Sequence, residues 1–334
     1  MIIATVIPCY KVSAHILPLL SKIGPEVSII VLVDDACPEN SGALVEQECR
    51  DRRVHVVRLK QNLGVGGAVC RGYQKALELG AEVVVKIDGD GQMDPSLISQ
   101  FVEPIAQLRA DYVKGNRFYS VETLSQMPGL RLFGNSVLSF VSKASSGYWN
   151  LMDPTNGYTA IHRTALQMLP LDKLDNRYFF ESDILFRLNT IRAVVAEVPM
   201  QAVYGDEKSN LRISFVAAEF PLKYLRCFGK RILYNYFLRD FNPCSLEIIC
   251  GLGLLLFGMI FGSWHWYKSV FFGITAPTGT VMLAALPVML GVQFLLAATN
   301  FDVTNLPKEP LQRLMPSRAN RSADTQKLKQ VANY

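Results

Sequence analysis

The sequence has no CxxC pair and no His–Cys cluster, which argues against a zinc site. Its seven cysteines are odd in number and scattered along 334 residues, a pattern of reduced thiols that fits a cytoplasmic face. The amino terminus, MIIATVIPCYK, lacks the basic start and long apolar core of a secretory signal and reads as a first strand. That strand is followed by PCYK and not by GxGxxG, so a dinucleotide-dependent dehydrogenase is disfavoured. Strong net charge is missing too. The balance of 34 basic and 29 acidic residues is +5, and the excess sits beside apolar runs, which suggests an anionic lipid surface and no nucleic acid partner.

Charge is almost absent from two stretches, SLEIICGLGLLLFGMIFGSWHWY and GTVMLAALPVMLGVQFLLAATNF. Each approaches the ~20 apolar residues needed to cross a bilayer core. In tandem they read as a transmembrane hairpin over 245–303, with spans at 245–267 and 279–301. The connecting loop carries Lys268, whereas Lys223, Arg226, Lys230, Arg231 and Arg239 precede the spans and Lys308, Arg313, Arg318, Arg321, Lys327 and Lys329 follow them. The positive-inside bias puts both flanks in the cytoplasm, and Trp264, Trp266 and Tyr267 stand where an interfacial aromatic belt belongs. The hairpin also offers a surface for homo-oligomerisation.

What is present before the hairpin is a soluble α/β pattern. The runs IIATVIP, VSIIVLVDD, RVHVVRL, AEVVVKID and ADYVKGN alternate with helical segments such as VGGAVCRGYQKALELG and PSLISQFVEPIAQL. Strands apolar on both faces, separated by helices, indicate a mostly parallel sheet. Further on, LRLFGNSVLSFVSKASSG reads as a helix, YWNLMDPTNGYTAIHR as a turn leading into a strand, and RYFFESDILFRLNTIRAVVAEVPM as a helix feeding a strand. Four parts result: a catalytic domain over 1–213, an amphipathic helix at 214–240 lying in the membrane interface, the hairpin, and a polar tail at 304–334 expected to be disordered.

Ligands of such sheets bind beyond the carboxyl ends of the strands, and carboxylates fall at those ends. In KIDGDGQMDP, Asp88, Asp90 and Gln92 recur at every second position after a buried strand. Crowded carboxylates repel unless something positive lies among them, and carboxylate and amide oxygens are hard ligands suited to Mg2+ or Mn2+ carrying a substrate phosphate. Asp94 and Pro95 follow as a helix cap and first turn. VDDACPENSG brings Asp34 and Asp35 to a second strand end, where a carboxylate can accept from a ribose or base or cap the helix starting near Ser41. NLGVGGA adds a glycine-rich loop ahead of a helix, suited to close approach to a phosphate.

The ordered set VIPCYK, VLVDDACPENSG, NLGVGGA, KIDGDGQMDP, GNRF, NGYTAI and YFFESDILFRL, followed by the hairpin, resembles the family-2 glycosyltransferases of GT-A fold, and within them the polyprenyl-phosphate glycosyltransferases. The resemblance covers most of 1–240. It implies that Pro8, Tyr10, Asp34 and Asp35 line a nucleoside pocket with Asn62, Gly64 and Gly66 beside it, and that Asp88, Asp90 and Gln92 hold a divalent ion on the donor diphosphate. By the same resemblance Arg117 approaches the acceptor phosphate, Arg131 and Asn135 supply further phosphate contacts, and Asp153 is a candidate base. Glu181 and Asp183 match the acidic pair before ILFRL. YGDEKSNLRI departs from the GESKL pattern of the mannosyltransferases but still offers Lys208 and Arg212 as cations.

A lipid phosphate acceptor also agrees with the chemistry. An attacking sugar hydroxyl needs a general base, whereas a phosphate oxygen is already anionic and needs positioning by arginines that bond it in pairs. The expectation is an inverting, metal-dependent hexosyltransferase that uses a nucleotide diphosphate sugar, UDP-glucose-like or GDP-mannose-like, and polyprenyl phosphate at the cytoplasmic leaflet among membrane lipids. The alternatives are a transferase to a polysaccharide or other glycan, for which a QxxRW-like motif is missing, and a non-catalytic membrane scaffold that keeps the fold.

Overall fold

The computed structural model describes residues 1–119, 129–200 and 213–315. The chain divides into two units, one of Met1–Phe228 with the segment from Pro307 onward, the other Gly229–Leu306.

The first unit is built on a seven-stranded sheet of order β3-β2-β1-β4-β6-β5-β7. Its strands are β1 (Ile3–Cys9), β2 (Ile29–Asp34), β3 (Val54–Arg58), β4 (Val83–Lys86), β5 (Tyr112–Asn116), β6 (Thr159–His162) and β7 (Val195–Pro199). All neighbours run parallel except β6, which is antiparallel to both β4 and β5. The β1 and β2 segments are Val- and Ile-rich because both faces are covered. Helices α1 (Ser13–Lys22), α2 (Ser41–Glu48), α3 (Val65–Glu78) and α4 (Ile98–Ala106) supply much of that cover. Ile3, Ile7 and Cys9 of β1 join Val83 and Val85 in a core with Ile16, Leu19 and Leu20 of α1 and Ile98, Phe101 and Ile105 of α4. The alternate β1 face meets α3, where a Cβ on Gly72 would lie 2.2 Å from Val6 Cγ1, so only glycine lets the helix sit this close to the sheet.

The segment LRLFGNSVLSFVSKASSG, read as a helix, lies in α5 (Gly129–Ser146), which is followed by α6 (Arg163–Met168), α7 (Phe180–Thr190) and α8 (Ile213–Leu233). In the first unit, Phe179, Phe186, Tyr224 and Cys227 form a second small core with Leu138 and Val141 of α5 packed on it. Leu222, Leu225 and Phe228 of α8 stay exposed among Lys223 and Arg226.

The second unit holds α9 (Pro243–Phe272) and α10 (Thr278–Thr304), both long and apolar enough to cross a bilayer. They pack closely through glycine: a Cβ on Gly258 would come within 2.8 Å of Ala284 O, and one on Gly291 within 2.8 Å of Gly251 O. Buried Arg231 donates to both oxygens of Asp302 at 2.5 and 2.9 Å, and Tyr236 Oη donates to the same carboxylate.

The start of the segment expected as a disordered tail is ordered. Helix α11 (Leu311–Leu314) rejoins the first unit: the backbone N–H groups of Leu311 and Gln312 donate to buried Asp111 at 2.9 and 3.3 Å. The Gln312 amide donates to Ile105 O and Ala110 O. Burial raises the Asp111 carboxyl above its ordinary value, partly offset by the N–H groups of Val194, Leu311 and Gln312. Leu311 is buried at the same place, but a single apolar turn in a polar segment carries too little periodicity to show this return in the sequence. Residues 316–334 lie outside the described residues.

Candidate active site

The reversed strand β6 begins where its parallel neighbours end, which explains why NGYTAI shares a site with KIDGDG and GNRF. Thr159 pairs with Lys86 of β4 on one side and with Lys114 of β5 on the other. Residues directly opposite in a ladder point to the same face, so two lysines stand in one row beneath the strand ends.

Both lysines are buried. Lys86, only 1% exposed, places Nζ 2.9 Å from Asp88 Oδ1 and 3.3 Å from Glu181 Oε1. Burial alone would push this ammonium down, but the carboxylates of Asp88 and Glu181 hold it above the ordinary lysine value. The positive charge expected among the carboxylates is thus supplied in part by the chain itself. Gly157, just before β6, closes on the pair: a Cβ there would lie 2.8 Å from both Asp88 Oδ2 and Lys86 Nζ. Lys114 donates to Asn156 O, and burial pushes its ammonium down to about 8.

After β4 the chain turns through Asp90, whose Oδ1 accepts from Gln92 N at 3.0 Å, and Asp94 accepts from Ser96 N ahead of the turn at Pro95. Among the described residues no group of three or more His, Cys, Asp or Glu gathers as a self-contained metal cage. Two carboxylates and an amide oxygen fit a hard divalent ion whose remaining positions a diphosphate and water would fill, the usual manner of Mg2+.

The two aspartates at the end of β2 act on backbone. Asp34 accepts from Cys37 N at 2.7 Å and Gly42 N at 2.8 Å, which ties it to the first turn of α2. Asp35 accepts from Leu63 N and Gly64 N at 2.7 and 2.8 Å and thereby fixes the glycine-rich loop. Burial raises the Asp35 carboxyl, against the pull of those two N–H groups. Asn62 donates to Asp35 O. Gly64 has φ of +86° with Asn176 O 2.6 Å from where its Cβ would be, and Gly66 has Asp175 O at 2.2 Å. The loop before α7 therefore lies directly on the glycine-rich loop. Pro8 lies in β1 opposite Val33 of β2, and Tyr10, just after the strand, is exposed.

The matched acidic pair is divided. Glu181 faces Lys86, whereas Asp183 accepts from Arg187 Nε at 3.0 Å and Asp175 N at 2.9 Å. Burial raises the Asp183 carboxyl while Arg187 opposes the rise.

At the end of β5, Arg117 and Asp153 are partners. Arg117 Nε and Nη2 donate to Asp153 Oδ2 and Oδ1 at 2.7 and 3.0 Å, and the Arg117 backbone N–H donates to Oδ2 at 3.2 Å. Asp153 is fully buried, while the Arg117 side chain keeps 30% of its surface exposed. Behind them Glu197 of β7 accepts from Met152 N, Asp153 N and Asn116 Nδ2 at 2.8 to 2.9 Å, and burial raises its carboxyl. Asn135 lies on α5, half-buried. The Arg131 side chain, Lys208 and Arg212 lie outside the described residues.

Lys86, Lys114 and Glu197 escape a motif-based reading. The signal for the lysines is nonetheless in the sequence: VVVK ends in a lysine and YVKGN carries one at its centre, each within a strand too apolar to be exposed.

The sequence and the fold have counterparts among known proteins. Residues 5–169 match the family described as glycosyl transferase family 2. An undecaprenyl-phosphate mannosyltransferase of Micrococcus luteus is 31% identical over 207 residues, 60% of this chain and 83% of that protein. A UDP-N-acetylglucosamine–dolichyl-phosphate N-acetylglucosaminyltransferase of Methanococcus voltae is 29% identical over 203 residues, covering 56% and 80%. Among solved structures, glucosyl-3-phosphoglycerate synthase from Mycobacterium tuberculosis, in complex with Mn2+, UDP-glucose and phosphoglyceric acid, superposes with a TM-score of 0.51 at 17% identity over 69% of this chain and 79% of that one. This is a likeness of GT-A fold alone. By its matched catalytic segment and its long similarity to the Micrococcus enzyme, the chain belongs to glycosyl transferase family 2.

Proposed function

We propose that the protein transfers a hexosyl group from a nucleotide diphosphate sugar to polyprenyl phosphate at the cytoplasmic leaflet, by one in-line displacement that inverts the anomeric carbon. The observation that carries this reading is Arg117. Its guanidinium is aimed by a buried carboxylate, and the side chain stays partly exposed at the end of β5, the arrangement a phosphate-binding arginine needs. Relatives covered over four-fifths of their length, whose names give dolichyl or undecaprenyl phosphate, support the acceptor class. Helices α9 and α10 would hold the enzyme where a prenyl phosphate presents its head.

In this mechanism Asp153 orients Arg117 and does not take a proton. As a base it would have to release the fork to Arg117, and an anionic phosphate oxygen requires no deprotonation. Asp35 fixes the glycine-rich loop near the donor diphosphate, and Lys86 fixes Asp88 and Glu181. Asp88, Asp90 and Gln92 would hold Mg2+ or Mn2+, which when bound offsets charge on the departing nucleoside diphosphate. Pro8, Tyr10 and Asn62 border the space left for the nucleoside, and Asn135 is assigned to the acceptor phosphate.

The test is label transfer by detergent-purified protein from a panel of radiolabelled nucleotide sugars to polyprenyl phosphate, with and without Mg2+ or Mn2+. Label entering the lipid fraction from one donor, only with metal, is the expected result and names the sugar. A donor that is consumed without labelling the lipid would overturn the acceptor assignment.

A further inference from the structure

Lys114 is a fully buried amine in the middle of β5, a position where an apolar side chain would spare the sheet the cost of burying a charge. Its ammonium donates to Asn156 O, in the segment that runs from Asp153 to Gly157 and leads into β6. That segment touches both halves of the site. At its first residue Asp153 grips the Arg117 guanidinium, and Thr155 Oγ1 accepts from Arg117 Nη2 at 3.4 Å while donating to Asp153 Oδ1 at 3.3 Å. At its last residue a Cβ on Gly157 would collide with Asp88 and Lys86 and would lie 3.2 Å from Met93 Cε. Residues 153–157 thus connect the arginine to the carboxylate assigned to the donor.

Asn156 is buried within this segment. Its amide donates to Asp153 Oδ2 at 3.4 Å, and its Oδ1 accepts from Tyr158 N at 2.9 Å. The side chain packs so closely on β5 that a Cβ on Gly115 would lie 2.8 Å from Asn156 Nδ2. Those contacts shape the turn, while Lys114 holds its backbone carbonyl. Burial works against the Lys114 charge, and the carboxylates of Glu181 and Asp153 work for it; a charged donor makes the stronger bond to the carbonyl. Lys114 also shares its row with Thr159 and Lys86, so the lysine that holds Asp88 and the lysine that holds 153–157 are set by the same strand register. We propose that Lys114 is a positioning residue for the transfer, which fixes the 153–157 segment and so sets Arg117 at a defined place relative to the donor carboxylates. This rests on the reading that Arg117 takes the acceptor phosphate. Lys114 acts through Asp153 and Arg117, and its loss should therefore fall on use of the acceptor.

The experiment compares full-length wild-type protein in detergent with Lys114→Met, Arg117→Ala and the double variant, using farnesyl phosphate as acceptor and the nucleotide sugar that labels lipid in the panel assay as donor. Lys114→Met should lower kcat/KM for the acceptor about tenfold, the worth of one hydrogen bond from a charged donor, while the donor KM holds. In the Arg117→Ala background the same substitution should cost less than about twofold, because the group it aims is already gone. Lys114→Gln keeps a polar head in the slot, but its amide is one atom short of Asn156 O. It should show the same acceptor-selective loss, and it carries the comparison if Lys114→Met does not fold by near-UV circular dichroism. Unchanged kcat/KM for the acceptor in a folded variant, donor and acceptor KM rising together, or losses that simply add in the double variant would overturn the proposal. Failure of both Lys114 variants to fold would make the lysine an element of stability and overturn it too. Wild-type protein that labels no prenyl phosphate but glycosylates another acceptor refutes the underlying function, and the role of Lys114 with it, before any substitution is made.

Discussion

Replacing Lys86 with methionine removes one positive charge from between two carboxylates and leaves the volume nearly unchanged. Lys86 is buried, and its partners Asp88 and Glu181 keep 29% and 16% of their side-chain surfaces exposed. Breaking a buried ion pair by deleting one member costs about 3–5 kcal/mol. The residual exposure lets water relieve part of the repulsion, so the lower end, about 3 kcal/mol, is the expected loss. For a unit of this size that lowers Tm by roughly 6–12 °C, measurable by near-UV circular dichroism in fixed detergent. The double variant Lys86→Met/Glu181→Leu replaces one of the stranded charges by hydrocarbon and should regain about half of the loss. A drop under about 1 kcal/mol in Lys86→Met, or strictly additive losses in the cycle, would show that the ammonium does not hold the two acids, and would refute the account of how this site tolerates its carboxylates.

Lys114, with its ammonium near 8 when folded and about 10.4 when unfolded, binds fewer protons in the native state between those values. Stability should therefore climb with pH by up to about 3 kcal/mol across pH 8 to 10.4, and urea titrations of Lys114→Met should lack this climb. Asp153→Asn should raise the acceptor KM while leaving the pH dependence of kcat unchanged; loss of the acidic limb from the kcat profile would restore Asp153 as a proton acceptor. Asp111→Ala strands the N–H groups of Leu311 and Gln312, so about 2 kcal/mol of stability should be lost, with protease cleavage near 307–315 accelerating first in a timed digest.

Much of the fold was legible because burial on both faces writes itself into strands such as IIVLV and VVVK, and the two long apolar helices declare themselves by lack of charge. The reversed β6 was not, since four residues, TAIH, read the same in either direction and only the sheet order fixes their sense. In the site, the carboxylates at strand ends were legible as positions but not as partners. Asp34 and Asp35 look equivalent in sequence, yet one ties down α2 and the other the glycine-rich loop, a choice set by loops that return from 8 and 29 residues away. Arg117 and Asp153 read as separate agents because 36 residues part them, and pairing across such a gap leaves no periodicity.

The grip of Asp111 on Leu311 joins residues 200 positions apart, with both apolar spans between them in the chain. At about 5–20 residues per second of synthesis, the carboxylate waits roughly 10–40 s for its partner. During that interval both candidate spans have been made while the sheet still lacks the segment that binds Asp111. Completion of the catalytic unit is thus tied by chain order to production of the hairpin, so a nascent chain truncated within α10 would carry a sheet whose Asp111 is still unclasped.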